Sequence, residues 1–447
     1  MRTEIVIAVL LLVHHSIEKV SRKDEIQPPA FITEPPSQVT FLNSSGEGVS
    51  CLVTRSPSTV VTWTKTDGSS VVDIPGVLYV RSDGALFFPP FHPGDYRPEV
   101  HNAIYRCVAS NIIGSVGSRN VRVRAVVPEL YQVGVFDSFV TTGNTAVIRC
   151  HVPTGTRHYV TVSAWLSDDR HAILPTADPN FGKKYLAFPT GELHIHNVQD
   201  IDEKRRYKCQ VKNILTGEKT ESLSWAKLVL TKPSSTFPPR IQEENSVVEV
   251  HEREIAKLPC AAHGYPTPEY NWYHHDGHTL SPVILGSRVT QLHGTLILRD
   301  ASIRDNGNYV CVTKNSQGQQ RTERTLTVRA PLKVEINPGS PRVRFVKYGE
   351  RVLLNCNVSG YPVETIFWVK DQRPLPVNYR VRQAPDHNLE ISSFEKEDSG
   401  IYQCYAQNNR DSAQHFIALK LEEKPPTLTK HFTSNYLCLG SRYLSSV

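Results

Sequence analysis

An all-β chain of four tandem two-sheet sandwiches is what this sequence predicts, on three observations. Eight of its nine cysteines fall into four pairs of similar spacing. Each pair encloses a Trp at a near-constant offset, and a Tyr stands two residues before the second Cys of every pair. The bulk composition agrees. A length of 447 residues exceeds one hydrophobic core and suits roughly three or four domains. The 31 Pro and 25 Gly are spread along the chain, which favours short strands and turns over long helices. A net charge of +6 is small for this length and calls for neither nucleic acid nor an acidic lipid surface as partner.

The pairs are Cys51 with Cys107, Cys150 with Cys209, Cys260 with Cys311 and Cys356 with Cys404, at separations of 56, 59, 51 and 48 residues. Trp63, Trp165, Trp272 and Trp368 follow the first Cys by 12, 15, 12 and 12 positions. Tyr105, Tyr207, Tyr309 and Tyr402 precede the second Cys. The physical reason is a sandwich. One Cys sits on strand B of one sheet and its partner on strand F of the other, so a disulfide crosses the core. The Trp of strand C packs on the sulfurs, and the Tyr hydroxyl ties the E–F corner to the backbone upstream. The predicted fold is therefore an immunoglobulin-like, I-set type sandwich repeated four times. Zinc is excluded because no two cysteines stand at C-x-x-C spacing. Buried free thiols would not recur at this spacing. Each closed loop of about 50 residues stabilises its domain by roughly 4 kcal/mol in the chain-entropy model, and it requires an oxidising compartment.

The local sequence supports strands around these anchors. DNGNYVC (residues 305–311) and DSGIYQC (residues 398–404) are D-x-G-x-Y-x-C corners, whereas the first two units keep the Tyr without that Asp and Gly. TGELHIH (residues 190–196) and GTLIL (residues 294–298) read as E strands. Pro259 is a local conflict, since it removes a ladder donor just before Cys260 on strand B. Its nitrogen is expected to face the place where strand A leaves the sheet.

The boundaries follow from the spacing. Residues 1–23 read as a secretory signal, with Arg2 before an apolar run at residues 5–13 (IVIAVLLLV). Nine helical residues rise about 13.5 Å, well short of a bilayer core of roughly 30 Å. Domain one is placed at residues 28–126, domain two at 127–231, domain three at 240–329 and domain four at 331–421. The gap from one domain's second Cys to the next domain's first is 43, 51 and 45 residues. The surplus falls between domains two and three, where residues 232–239 (KPSSTFPP) read as a free linker. Eight extended residues span about 26–29 Å. Two stiff pairs with a bend between them are expected, with domain one meeting domain four and domain two meeting domain three. Residues 422–447 read as the start of a truncated fifth domain or a disordered tail. They hold the unpaired Cys438.

Several stretches resemble the Down syndrome cell adhesion molecule (Dscam) family, arthropod-type members above all. They are residues 84–111 (GALFFPPFHPGDYRPEVHNAIYRCVASN), 121–127 (VRVRAVV), 188–199 (FPTGELHIHNVQ), 267–277 (TPEYNWYHHDG) and 367–375 (FWVKDQRPL). The resemblance covers about residues 28 to 425 and implies that the four N-terminal domains fold back into a horseshoe. It also implies homophilic binding through edge segments of domains two and three. These correspond to Tyr131, Gln132, Val133, Gly134, Val135, Phe136 and Asp137, and to residues 241–248, with Ile241, Gln242, Glu243, Glu244 and Asn245 at their head. An unpaired edge offers free N–H and C=O groups, a two-fold axis makes a segment its own partner, and a like charge facing itself is penalised. On this reading, Pro at Val133 or Val135 abolishes cell aggregation and spares the fold.

Other candidates have plainer readings. Asn43-Ser44-Ser45 and Asn357-Val358-Ser359 are N-glycosylation sequons. His274-His275-Asp276-Gly277-His278 reads as a hairpin tip rather than a metal site. His194 and His196 share one strand face and are expected to be solvated. So are Arg122, Arg124 and Lys204-Arg205-Arg206, for which a glycosaminoglycan or phospholipid contact is the minor alternative. No catalytic motif is present, and no cofactor or metal is called for. The expected role is a cell-adhesion ectodomain in neuronal self-avoidance and axon guidance, its partner an identical molecule on an apposed cell. The alternative is a secreted soluble receptor that binds pathogen or another ligand in immunity. Expected localisation is extracellular, on the plasma membrane in a longer form and secreted as written. An intracellular muscle-type protein is disfavoured by the signal and the paired cysteines, and a receptor kinase or phosphatase by the lack of a catalytic domain.

Overall fold

The computed structural model describes residues 27–54, 59–169, 171–176, 184–242 and 247–422. The signal segment, Glu243, Glu244, Asn245 and Cys438 lie outside the described residues. The chain is all-β, with short 3₁₀ turns and one four-residue helix, Pro98–His101. In domain one, strands Gln38–Leu42, Val121–Val126, Asn102–Asn111 and Val60–Lys65 form one sheet in that spatial order. Strands Glu47–Val49, Leu86–Phe88 and Tyr79–Val80 form the facing layer. In every domain an early strand runs parallel to the last one and closes the sheet edge.

Each core is assembled around the same three groups. Disulfides join Cys51–Cys107, Cys150–Cys209, Cys260–Cys311 and Cys356–Cys404, with Cα–Cα distances of 6.4, 5.8, 6.5 and 6.2 Å. The Trp of each unit lies directly opposite the second Cys on the neighbouring strand. Trp63, Trp272 and Trp368 donate their indole N–H to the carbonyls of Gly84, Gly294 and His387. Trp165 Nε1 is buried and lacks such a partner.

The tyrosine corner takes two forms. Tyr105, Tyr309 and Tyr402 donate to the carbonyls of Val100, Asp305 and Asp398 at 2.8, 2.9 and 2.8 Å. In domains three and four the corner needs Gly307 and Gly400, whose φ of +145° and +149° disfavours a side chain. Domain two departs from the expected corner, since the Tyr207 hydroxyl reaches the Tyr185 hydroxyl at 3.4 Å instead of a carbonyl. The corner acid is still present there, one position earlier in the chain. Asp202 accepts from the Gln199 N–H at 2.7 Å and pairs with Lys184 at 2.6 Å. Removing the hydroxyl in Tyr309→Phe or Tyr402→Phe leaves a buried carbonyl short of a donor. Each should cost about 1–3 kcal/mol in denaturant unfolding, and Tyr207→Phe less.

The junctions explain the shape. Val126 ends the last strand of domain one and is also buried in the core of domain two, so no spacer separates them. Strand Gly318–Ile336 runs 19 residues without a break. It pairs within domain three through Gly318 to Arg329 and within domain four through Ala330 to Ile336. Between domains two and three the free linker is shorter than expected. Phe237, Pro238 and Pro239 already belong to the first strand of domain three, Phe237–Ile241, leaving residues 232–236 as the connection. The strand tolerates two prolines because its register slips between Phe237 and Arg240, where N–H donors are not needed. At Pro259 the chain leaves strand Ala256–Leu258 and resumes at Ala262–Tyr265, and the Pro259 carbonyl accepts from Arg324 Nε at 3.0 Å.

Candidate functional site

The chain folds back on itself through two interfaces built on one device, a buried carboxamide clasping a glycine backbone. Between domains one and four, the Gly117 N–H donates to Gln403 Oε1 at 2.8 Å, and Gln403 Nε2 donates to the Gly117 carbonyl at 3.0 Å. The Tyr405 hydroxyl donates to the same carbonyl at 2.9 Å, and the Arg106 guanidinium lies 4.5 Å from the Tyr405 ring. Beside the clasp, Ala30, Val116, Ile401, Phe416 and Ala418 form a small apolar cluster across the boundary. Between domains two and three, Asn144 Nδ2 donates to the Gly264 carbonyl at 3.1 Å and the Gly264 N–H donates to Asn144 Oδ1 at 3.0 Å. Lys257 Nζ donates to the Pro175 carbonyl at 2.8 Å in the same interface.

Three histidines complete the second interface. His194 and His196, expected to be solvated, are buried at 0 % and 1 % exposure. The reason is that domain three covers the outer face of their strand. The His196 ring stacks on His293 of domain three at 4.6 Å, and Phe188 packs on His194 at 4.5 Å. Burial pushes the pKa of His194 down to about 3, with Arg149 and Arg324 adding to the shift. Burial also holds His196 well below the usual imidazole value, and His293 lower than usual.

The segment at residues 131–137 is not a free edge. Gly134 exchanges both backbone bonds with His151, at 3.1 and 2.8 Å. The Val133 carbonyl accepts from the Leu223 N–H, and the Val135 carbonyl accepts from the Ser224 hydroxyl. Val133 and Val135 are core residues at 1 % and 2 % exposure. Proline at either would therefore damage the fold, so the expectation that it spares the fold is corrected. What this segment turns outward is Gln132, Phe136 and Asp137, with Tyr131 half-buried. Phe136 is 68 % exposed and stands edge-on to His151 at 5.0 Å. Gln132, Phe136 and His151, together with the exposed Leu223, border a shallow groove of about 420 Å³.

The domain-three segment is partly committed within the chain. Ile241 pairs with Ala262, and its N–H donates to Gln320 Oε1 at 2.7 Å. Gln242 donates its N–H to the Ala261 carbonyl, and its own carbonyl accepts from Arg149 of domain two. Val247 and Val248 open the strand Val247–His251, with Val247 exposed.

Asn43 is buried, and its Nδ2 donates to the Phe91 carbonyl at 2.9 Å, so the expectation of a glycan there is corrected. Asn357 is exposed on strand Cys356–Tyr361 and presents the second sequon. The hairpin tip at His274–His278 is ordered by Asp276, which accepts from the Thr279 and His278 N–H groups and whose pKa is thereby lowered to about 2. Among the described residues no group of His, Cys, Asp and Glu is placed to hold a metal ion, and no helix is long and apolar enough to cross a membrane.

Comparison with known proteins agrees with this architecture. Residues 238–315 match the family described as "Immunoglobulin domain", and residues 338–421 match "Immunoglobulin I-set domain". The chain is 38% identical over 409 residues to the cell adhesion molecule Dscam1 of Drosophila melanogaster, covering 90% of this chain and 20% of that protein. It is 31% identical over 435 residues to the human cell adhesion molecule DSCAML1, covering 97% of this chain and 20% of that protein. The chain thus spans about a fifth of the length of these curated relatives. Among solved structures, one titled "Structural basis for Dscam isoform specificity" is 38% identical with a TM-score of 0.80, covering 89% of this chain and 100% of that one. The four N-terminal immunoglobulin domains of Dscam1 isoform 6.9 superpose with a TM-score of 0.81 at 36% identity, with the same coverage. The chain belongs to the Down syndrome cell adhesion molecule family.

Proposed function

We propose that this chain is the recognition head of an extracellular cell-adhesion protein and binds a second copy of itself on an apposed cell. The observation that carries the reading is the doubly clasped fold-back of Gln403 on Gly117 and Asn144 on Gly264. It makes the four domains one body and leaves the Gln132–Phe136 groove of domain two open to a partner. The isoform specificity named for the solved Dscam structure suggests what the groove is for. Specificity would reside in the exposed side chains, Gln132 and Phe136 first, since both backbone groups of Gly134 and the carbonyls of Val133 and Val135 already bond inside the domain. The Val247 end of the domain-three segment would extend the surface. The role is binding without catalysis. It places the chain on the cell surface when joined to a membrane-anchored remainder, and in neurons it would serve self-avoidance and axon guidance. Beads coated with the chain should aggregate with one another and sort away from beads coated with the Drosophila Dscam1 head. Beads that stay dispersed would overturn the proposal.

A further inference from the structure

Domain two meets domain three through the sheet that carries Arg149, His194 and His196, which leaves the outward face of its other sheet open. On that open face the strand Arg206–Asn213 sends Tyr207, Cys209 and Val211 into the core and turns Arg206, Lys208, Gln210 and Lys212 outward. The neighbouring chain returns antiparallel. Its register puts Lys227 directly opposite Arg206, and Lys219 directly opposite Lys212. Like charges at opposed cross-strand positions destabilise a sheet, and this face holds two such pairs. Lys208 is partnered by Glu221 and Arg206 by Asp168, both at 3.5 Å. Asp137 accepts from the Lys227 backbone N–H at 3.0 Å. Lys212 and Lys219 are exposed and form no ion pair among the described residues. Between the rows stands Trp225, 38 % exposed, with the Arg206 guanidinium 5.6 Å and the Lys208 ammonium 5.1 Å from its ring.

Among the described residues no ion pair offsets the repulsion at Lys212 and Lys219. The cations follow two paired antiparallel strands, so they suit a linear polyanion and not a compact one. Alternate strand positions are about 6.6 Å apart, so the row from Arg206 to Lys212 runs about 20 Å. The flat indole offers an apolar surface to the C–H face of a sugar ring. We propose that this face binds a linear sulfated polysaccharide, with sulfates along the two cationic rows and a sugar ring stacked on Trp225. Lys212 and Lys219 lie outside the Gln132–Phe136 groove, whereas Trp225 follows Leu223 and Ser224 on its border.

The test uses the full chain on immobilised heparin, on hyaluronan as an unsulfated polyanion, and on phosphatidylserine vesicles. Retention on heparin should fall steeply with added salt, as counterion release requires, while hyaluronan and vesicles retain little. Lys212→Ala with Lys219→Ala should weaken heparin binding on the order of tenfold, through loss of the phosphate-like contacts that set such salt dependence. The same pair should raise the thermal midpoint, because it removes a like-charge pair, and should leave bead aggregation unchanged. Trp225→Ala should weaken heparin binding with a smaller change in salt dependence. Equal retention of wild type and the double variant, or vesicle binding as strong as heparin binding, would overturn the proposal.

Discussion

Gly117→Val should open the molecule. A Cβ built at Gly117 meets the Tyr405 hydroxyl at 2.5 Å and overlaps the Gln372 side chain. Both belong to domain four, and the buried Tyr405 ring is held between Phe367, stacked at 5.3 Å, and the Arg106 guanidinium. The valine would separate the Gln403 carboxamide from its two backbone partners and the Tyr405 hydroxyl from its acceptor. Each buried polar group left unpaired costs about 1–3 kcal/mol, and three such bonds meet at this one residue. Gly117 lies on the edge strand Gly114–Gly117, outside the core of domain one, so each sandwich should keep its own stability. The expected result is a larger radius of gyration in small-angle scattering, an unchanged far-ultraviolet spectrum, and loss of bead aggregation. Gly117→Ala should give a smaller expansion.

Acid should loosen the contact between domains two and three between pH 6.5 and 5. His194 and His196 are buried as neutral rings, and burial lowers the pKa of both. An imidazole held below its unfolded value near 6.5 stabilises the fold only while the unfolded chain is also neutral. As pH falls below 6.5 the unfolded or separated state binds protons that the closed state refuses, and stability drops. At pH 5.5 one such ring costs on the order of 1.4 kcal/mol, and the second acts in the same direction. The carboxylates with depressed pKa, among them Asp305 and Glu249, keep their contribution above their ordinary values near 4 and lose it only below them. The window from pH 6.5 to 5 therefore belongs to buried histidines, and burial lowers His101, His158, His263 and His415 in the same direction. Thermal midpoints should fall across it, and the fall should be shallower, by the share of these two rings, in a variant with His194→Phe and His196→Gln. A midpoint flat from pH 7.5 to 5 in wild type would contradict this account of the interface.

The fold was readable in the sequence because its determinants are local and periodic. A Trp opposite a Cys, and a Tyr two residues before it, are fixed by strand register, and register repeats with the domain. The interfaces were not readable in the same way. Gln403 and Tyr405 alternate with Tyr402, Cys404 and Ala406 on the strand Gly400–Gln407, and alternation alone assigns them to solvent. They are buried because domain one covers them. His194 and His196 are the same case, covered by domain three. Within residues 131–137 the alternation was informative, since Val133 and Val135 point inward while Gln132 and Phe136 point outward. Treating the segment as one recognition edge concealed that division. A sequon triplet says nothing about burial, which is why Asn43 and Asn357 looked equivalent. The proline-rich stretch at 237–239 looked like linker because proline lacks a ladder donor, yet it lies where the strand's register slips and needs none.

The claim that the head recognises itself through exposed side chains of domain two is tested most directly by charge. One bead population carries Gln132→Lys with Phe136→Lys, and a second carries Gln132→Glu with Phe136→Glu. Both positions are exposed, so the fold is retained. Self-pairing about a two-fold axis brings like charges together within each population and opposite charges together between them. Each population should stay dispersed alone, and the mixture should form aggregates containing both. Aggregation of each charged population at the wild-type level would contradict the account.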